Sequence, residues 1–146
     1  MRFDIITIFP KIFDSYFNES ILRRAREKKI VDIRVHNLRD FTTDKRRTVD
    51  DKPYGGGPGM VLKIEPIARA IDSILKSRAK NRKIKIILLS AAGRSFTAKM
   101  ATDWVKRHKQ IILIAGHYEG VDARLEKVIE NWKLKIENFI STPFFF

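Results

Sequence analysis

Continuous apolar, β-branched segments alternate with amphipathic segments along this chain, and the alternation limits the folds that it can adopt. Residues 3–9, 83–89 and 110–115 read FDIITIF, KIKIILL and QIILIA, which is typical of strands buried on both faces. Residues 30–38 alternate Ile or Val with polar residues and predict another strand, and residues 134–140 predict a fifth. Strands of this kind, separated by helices, indicate an α/β fold with a parallel sheet covered on both faces.

Helical spacing of apolar residues predicts the helices that cover the two faces of the sheet. The predicted helices span 11–29 (with a break near 18–20), 65–78, 97–108 and 122–131. Pro66 suits a first helical turn, and Thr97 is a predicted N-cap. Residues 39–62 are predicted to form a long loop, and loops of that length inside a compact domain are often functional.

That long loop contains the segment 49–60, VDDKPYGGGPGM. Glycine lets another molecule approach the backbone closely. Pro53 and Pro58 fix the φ angle on either side of the glycine run and so limit its flexibility. With Asp50 and Asp51 beside it, the segment predicts a shaped surface for a flat or anionic ligand. The alternative interpretation is a solvated surface linker.

The charge balance indicates a polyanionic partner. A chain of 146 residues is long enough for one domain, and its formal net charge of +13 favours RNA or DNA over the alternatives of general solubility or a membrane surface. Basic residues cluster at 23–29, at 45–47 and along 76–109.

The absence of cysteine excludes disulfides and thiolate catalysis, and the histidines are too scattered to suggest a metal site. Without an apolar run long enough for a signal peptide or a membrane span, the prediction is a cytoplasmic protein.

Two loops follow predicted strands at the edge where α/β sheets bind ligands. Residues 90–94 read SAAGR and residues 116–122 read GHYEGVD, so both place small residues at a strand exit. Glu119 is able to accept hydrogen bonds from a ribose or a guanine edge, although ordinary βα turns are the alternative. Neither a P-loop nor a dinucleotide-binding motif is present, and Ser90 lacks the pattern of a nucleophile elbow.

Four segments in this order carry a resemblance: IITIFPKIFDSY at 5–16, RDFTTDKRRTVDDKPYGGGPGM at 39–60, LLSAAGR at 88–94 and AGHYEGVDAR at 115–124. They resemble the bacterial tRNA (guanine-N1)-methyltransferases of the TrmD type. The resemblance implies an α/β methyltransferase domain of the SPOUT class with a trefoil knot, and S-adenosylmethionine as cofactor. It further implies a homodimer that methylates N1 of the guanosine at tRNA position 37, in the anticodon loop.

The resemblance also assigns residues to roles. It implies cofactor contacts for Leu89, Ser90, Ala91, Gly116, Tyr118, Glu119, Gly120, Ile136, Glu137, Asn138, Phe139, Ile140 and Ser141. It implies that Asp50, Pro53, Gly55, Gly56, Gly57, Pro58 and Gly59 line the approach to the target guanine.

The sequence departs from the family pattern in places. His117 stands where the family has arginine, Glu137 replaces a glycine of the third cofactor loop, and Pro143 and Phe144 replace a glycine pair. We expect one methyltransferase domain over 1–146, an incomplete knot, and no catalytic base, because the family's aspartate and its C-terminal tRNA-binding domain would follow this segment. The alternatives are an inactive RNA-binding remnant, a truncated gene product or a misfolded fragment.

Overall fold

The structure is a computed structural model that describes residues 1–53, 56–77, 83–117, 120–122, 124–131 and 136–140. For residues 91, 92, 136 and 138–140 it describes the backbone only. In chain order the elements are β1 (Arg2–Thr7), α1 (Ile12–Phe17), α2 (Ser20–Glu27), β2 (Asp32–Asn37), a 3₁₀ helix (Leu38–Phe41), β3 (Asp50–Asp51), β4 (Val61–Leu62), α3 (Ile64–Lys76), β5 (Ile84–Ser95), α4 (Ala98–Arg107), β6 (Gln110–Ala115), α5 (Leu125–Glu130) and β7 (Ile136–Ile140).

Five strands form one parallel sheet in the order β2-β1-β6-β5-β7. The α/β class and the parallel sheet are therefore confirmed, as are all five predicted strands. The predicted break in the first helix is also confirmed, because α1 ends at Phe17 and α2 begins at Ser20. Thr97 caps α4 as predicted, since its Oγ1 accepts a hydrogen bond from the Met100 amide at 3.3 Å.

The two faces of the sheet are covered differently. On one face, α3 and α5 bury Ile71 and Ile129 against Ile6, Ile86 and Ile112 of the sheet. On the other face, Ile87 and Ile111 are buried, and half-buried side chains such as those of Met100 and Trp104 of α4 pack on them. The larger apolar core thus lies on the α3 side, as the spacing of Ile67, Ala70, Ile71 and Ile74 predicts.

Two parts of the prediction were wrong. Residues 39–62 are not one long loop, because β3 and β4 form a short antiparallel pair whose flanks bury Val49 and Leu62. Strand β5 does not end at Leu89; it continues to Ser95 after an irregularity between Leu89 and Arg94. The extension of β5 depends on pairing with the distant β7, which local residue patterns do not contain. β3 and β4 have two residues each, which is too few to give a recognisable alternation.

A charged network lies inside the sheet at β1. The fully buried Asp4 carboxylate accepts hydrogen bonds from Arg2 and from Gln110 Nε2 (2.7 Å), and His36 Nε2 lies 2.9 Å from it. Burial works to raise the pKa of Asp4, but the hydrogen bonds with His36, Arg2 and Gln110 outweigh it and hold that pKa below its usual value. Asp4 therefore remains a carboxylate that joins β1 to both neighbouring strands.

Among the described residues, no helix combines the length and the apolar character needed to cross a membrane. The expectation that the trefoil knot is incomplete in this chain stays a prediction, because residues 141–146 lie outside the described part of the chain.

Candidate functional site

The segments predicted to bind the cofactor meet at the carboxyl edge of the sheet. Leu89, near the end of the regular part of β5, pairs with Ala115 of β6 on one side and with Phe139 of β7 on the other. The residues that follow these three positions therefore emerge beside one another. Ligands of open α/β sheets bind at this edge.

Gly116 forms a tight backbone contact at the centre of this edge. A Cβ atom added to Gly116 would lie 2.6 Å from the Leu89 carbonyl oxygen, well inside van der Waals contact. The φ angle of Gly116 lies outside the left-handed region, so the close approach alone requires glycine here. The missing Cβ therefore lets the exits of β5 and β6 meet backbone to backbone, and together they form a surface at the strand ends.

Residues 90–93 form a bulge in β5 beside this surface. Both Leu89 and Arg94, which bound the bulge, are opposite the same residue of β7, Phe139. Ser90 is half-buried in the bulge, and the backbone of Ala91 lies in it. A bulge next to a binding site is a common way to direct backbone groups toward a ligand.

His117 lies at the exit of β6 and contacts an aromatic residue that the sequence analysis did not select. The Phe9 ring, which follows β1, meets the His117 ring edge-on with centroids 4.9 Å apart. Burial lowers the pKa of His117, so its imidazole is neutral near pH 7. The order of the strands was the missing signal for Phe9, because β1 and β6 are neighbours only in the folded sheet.

The glycine-rich segment connects β3 to β4. Hydrogen bonds attach this hairpin to residues 120–122, which belong to the second predicted cofactor-binding segment, 116–122. The Leu62 amide donates to the Gly120 carbonyl oxygen at 2.9 Å, and the Asp122 amide donates to the Leu62 carbonyl oxygen at 3.3 Å. Leu62 also forms a parallel bridge with Val121. The predicted guanine-binding segment and a predicted cofactor-binding segment are thus directly joined.

The hairpin itself has the backbone that its sequence predicts. Gly56, Gly57 and Gly59 have φ angles of 82°, 122° and 101°, which side-chain-bearing residues rarely adopt. Asp50 lies in β3 opposite Leu62, and Pro53 follows β3. At Gly56 and Gly57, glycine is needed because of the local turn, and not because of a neighbouring atom.

A groove of about 280 Å³ lies at the base of the hairpin. It is bordered by the carboxylates of Asp51, Glu65 and Asp122 and by the cations of Lys52, Lys63 and Arg124. A hydrogen bond from Arg124 is the main reason that the pKa of Asp122 is lowered, and the two groups are 2.6 Å apart. With donors and acceptors on both sides, the groove has the chemistry to hold a small polar group such as part of a nucleotide.

Not every predicted site residue is described. Gly55, Tyr118, Glu119 and Ser141 lie outside the described residues, and the structure gives only the backbone of Ala91, Ile136, Asn138, Phe139 and Ile140. Among the β7 residues, Glu137 has a described side chain, and it contacts Lys85 and Arg94 of β5.

The basic cluster at 45–47 precedes the hairpin and is partly occupied by internal contacts. Arg47 Nη2 lies 2.5 Å from Asp40 Oδ1, and the Arg47 carbonyl oxygen accepts a hydrogen bond from Arg39 at 3.2 Å. Lys45 and Arg46 are exposed. These two cations are therefore available to a polyanion that approaches the hairpin.

Together, the parallel sheet, the backbone contact of Leu89 with Gly116, and the attached glycine hairpin define an α/β domain with a candidate ligand site at its strand ends. The family model described as tRNA (Guanine-1)-methyltransferase TrmD matches residues 1–143. The chain belongs to this family, which confirms the resemblance inferred from its motifs.

Curated relatives agree with this assignment. The chain is 47% identical over 142 residues to the tRNA (guanine-N(1)-)-methyltransferase of Dictyoglomus turgidum, covering 97% of this chain and 55% of that protein. It is 44% identical to the protein of that name from Carboxydothermus hydrogenoformans (97% and 54%) and 42% identical to the one from Citrifermentans bemidjiense (97% and 55%). The chain thus spans about half the length of the curated relatives it matches.

Proposed function

We propose that this chain contributes the cofactor-binding and guanine-binding parts of an S-adenosylmethionine-dependent tRNA (guanine-N1)-methyltransferase. The target is N1 of the guanosine at tRNA position 37. One observation carries the proposal: Leu89 lies between Ala115 and Phe139, with Gly116 against its carbonyl oxygen, at the edge where the predicted cofactor segments meet.

The described residues fit S-adenosylmethionine. An adenosine bound at the strand ends would contact the backbone of the β5 and β6 exits, which the missing Cβ at Gly116 allows to lie directly against each other. On this proposal Leu89, Ser90 and Ala91 hold the cofactor on one side, Gly116 and Gly120 hold it on the other, and β7 completes the site. The predicted contacts of Tyr118, Glu119 and Ser141 belong to the same proposal. When bound, the cofactor supplies an electrophilic methyl group on a sulfonium centre.

The glycine hairpin would hold the target guanine beside that methyl group. Its attachment through Leu62 to Gly120 and Asp122 fixes the hairpin relative to the cofactor loop. Methyl transfer to a ring nitrogen depends on in-line placement of the two reactants and on removal of the N1 proton. The residues of this chain serve the placement, and we assign none of them as the base.

The remaining parts of the proposal concern partners and location. A tRNA partner is supported by the net charge of +13 and by the exposed cations Lys45 and Arg46 beside the hairpin. A homodimer and a cytoplasmic location follow from the resemblance to the family.

Calorimetric titration with S-adenosylmethionine tests the proposal, with circular dichroism to verify that the chain is folded. Binding in the micromolar range supports the cofactor site, and transfer of a labelled methyl group to a tRNA with guanosine at position 37, but not adenosine, supports the substrate. A folded chain that binds tRNA but no S-adenosylmethionine contradicts the proposal and indicates an RNA-binding role without catalysis.

A further inference from the structure

Glu137 joins the strand segments on either side of the β5 bulge through its side chain. Oε1 of Glu137 accepts a hydrogen bond from Lys85 Nζ, and Oε2 accepts one from Arg94 Nη2. Lys85 precedes the bulge and Arg94 follows it. One carboxylate therefore fixes the distance between the strand segments on either side of residues 90–93.

Lys85 anchors this arrangement inside the protein. The residue is only 8% exposed, although it carries a positive charge. Its Nζ atom lies 4.9 Å from the centroid of the Trp104 ring of α4, in the geometry of a cation–π contact. A buried ammonium group requires a counter-charge, and Glu137 supplies it.

Arg94, in contrast, is held at the surface. Its side chain is 61% exposed, whereas that of Glu137 is 34% exposed. Without the carboxylate of Glu137, Arg94 and Lys85 would face each other as like charges in a chain whose net charge is already +13. Loss of Glu137 is therefore expected to move the exposed Arg94 more easily than the buried Lys85.

The carboxylate of Glu137 remains charged over the range in which proteins are normally studied. Burial works to raise its pKa, but the hydrogen bonds and charges of Lys85 and Arg94 outweigh burial and lower the pKa below its usual value. Near neutral pH, Glu137 is thus a carboxylate that connects the strand segments on either side of the bulge.

We propose that Glu137 is a positioning residue for the cofactor: by holding Arg94 against Lys85, it sets the shape of the bulge at 90–93. This inference rests on the proposed function, because Ser90 and Ala91 of the bulge are the residues proposed to contact S-adenosylmethionine. It gives a specific role to a residue that stands where the family pattern has glycine. The carboxylate acts through Arg94 and need not touch the cofactor.

The test compares three variants of the whole chain: Glu137→Gln, Arg94→Gln and the double variant. Calorimetry measures the Kd for S-adenosylmethionine well below the melting temperature, and scanning calorimetry measures Tm. We expect each single variant to weaken binding about tenfold, equivalent to ~1.4 kcal/mol. We expect the double variant to be no weaker than the singles, because both remove the same contact.

Arg94→Gln separates positioning from general stability. Since Arg94 is exposed, its replacement should change Tm little while Kd still rises, a separation that a purely structural role would not produce. Amide hydrogen exchange at residues 90–94 should be faster in both single variants. If Glu137→Gln does not fold, Arg94→Gln carries the test alone.

Glu27→Gln is the matched control, because Glu27 forms an exposed ion pair with Arg23 at 3.8 Å on α2. It should change neither Kd nor Tm. Unchanged affinity in Arg94→Gln and Glu137→Gln, with a wild-type chain that binds, overturns this inference alone. A folded wild-type chain that binds no S-adenosylmethionine overturns the proposed function and this inference together.

Discussion

Substitution of Gly116 by alanine tests the backbone contact on which the proposed cofactor site depends. The new Cβ would lie 2.6 Å from the Leu89 carbonyl oxygen, whereas ordinary van der Waals contact begins near 3.4 Å. The colliding atom belongs to the backbone, so no side chain is able to rotate away. β5 and β6 must separate locally, at a point where Leu89 is paired on both sides.

The size of the effect follows from two opposing contributions. Insertion of one methyl group into a packed site costs about 1–3 kcal/mol. Replacement of glycine by alanine at an ordinary φ angle stabilises the folded state by roughly 0.4–1 kcal/mol, because alanine lowers the conformational entropy of the unfolded chain. The net loss of folding free energy is therefore about 1–2 kcal/mol, which for a domain of this size lowers Tm by roughly 3–6 °C.

Thermal unfolding of Gly116→Ala and wild type, followed by circular dichroism, measures this loss. Gly57→Ala is a useful comparison, because Gly57 has a φ angle of 122° and no neighbouring atom within 4 Å, so any cost there arises from backbone strain alone. Amide exchange at Ala115 should accelerate in Gly116→Ala and not in Gly57→Ala. If Gly116→Ala is as stable as wild type and Ala115 keeps its protection, the close approach of β5 and β6 at Gly116 is refuted, and with it the backbone contact on which the proposed cofactor site rests.

Three further predictions address the core, the α4 face and the RNA contacts. Asp4→Asn should lower the free energy of unfolding by about 3 kcal/mol at pH 7, since it removes the counter-charge of the partly buried Arg2. Because the folded pKa of Asp4 is lowered, its contribution is present above the ordinary pKa of 3.8 and is lost as the pH falls through the folded value; urea unfolding should thus show the difference from wild type narrowing as the pH falls below 3.8. Trp104→Leu keeps an apolar cover but removes the ring beside Lys85, and calorimetry should show a loss of roughly 1 kcal/mol; an unchanged Tm would contradict the cation–π contact. Replacing Lys45 and Arg46 by glutamine should reduce the slope of log K against log salt for tRNA binding by about 1.5, and an identical slope would show that they contact no phosphates.

Much of the fold could be predicted from the sequence because its strands are buried on both faces. Such strands give nearly uninterrupted apolar runs, and β6 over Gln110–Ala115 matches its predicted range. The break between α1 and α2 and the cap at Thr97 were equally accessible, because they depend on neighbouring residues. The order of the strands was not, since it depends on contacts between residues far apart in the chain.

The candidate site likewise has features with a local sequence signal and features without one. Residues 90–94, which form the bulge of β5 and its end at Arg94, and the loop after β6 were identified because parallel strands direct their carboxyl ends to one edge. The attachment of the glycine hairpin to Gly120 and Asp122 through Leu62 had no local signal, and neither did the contact of Phe9 with His117. Two residues per strand are too few for β3 and β4 to produce a recognisable alternation.

The contact of Lys85 with Glu137 was also not predicted, although the sequence contains a signal for it. Lys85 interrupts the otherwise apolar run of residues 84–89 in β5. Lysine is almost never fully buried unless it is paired. A lysine inside such a strand therefore predicts an acidic partner on a neighbouring strand. Glu137 is that partner, so the residue that departs from the family's glycine is also the one that makes a charge in β5 tolerable. The two positions should consequently change together: Lys85→Met combined with Glu137→Gln should be more stable than Glu137→Gln alone, because the double change leaves no buried charge without its counter-charge.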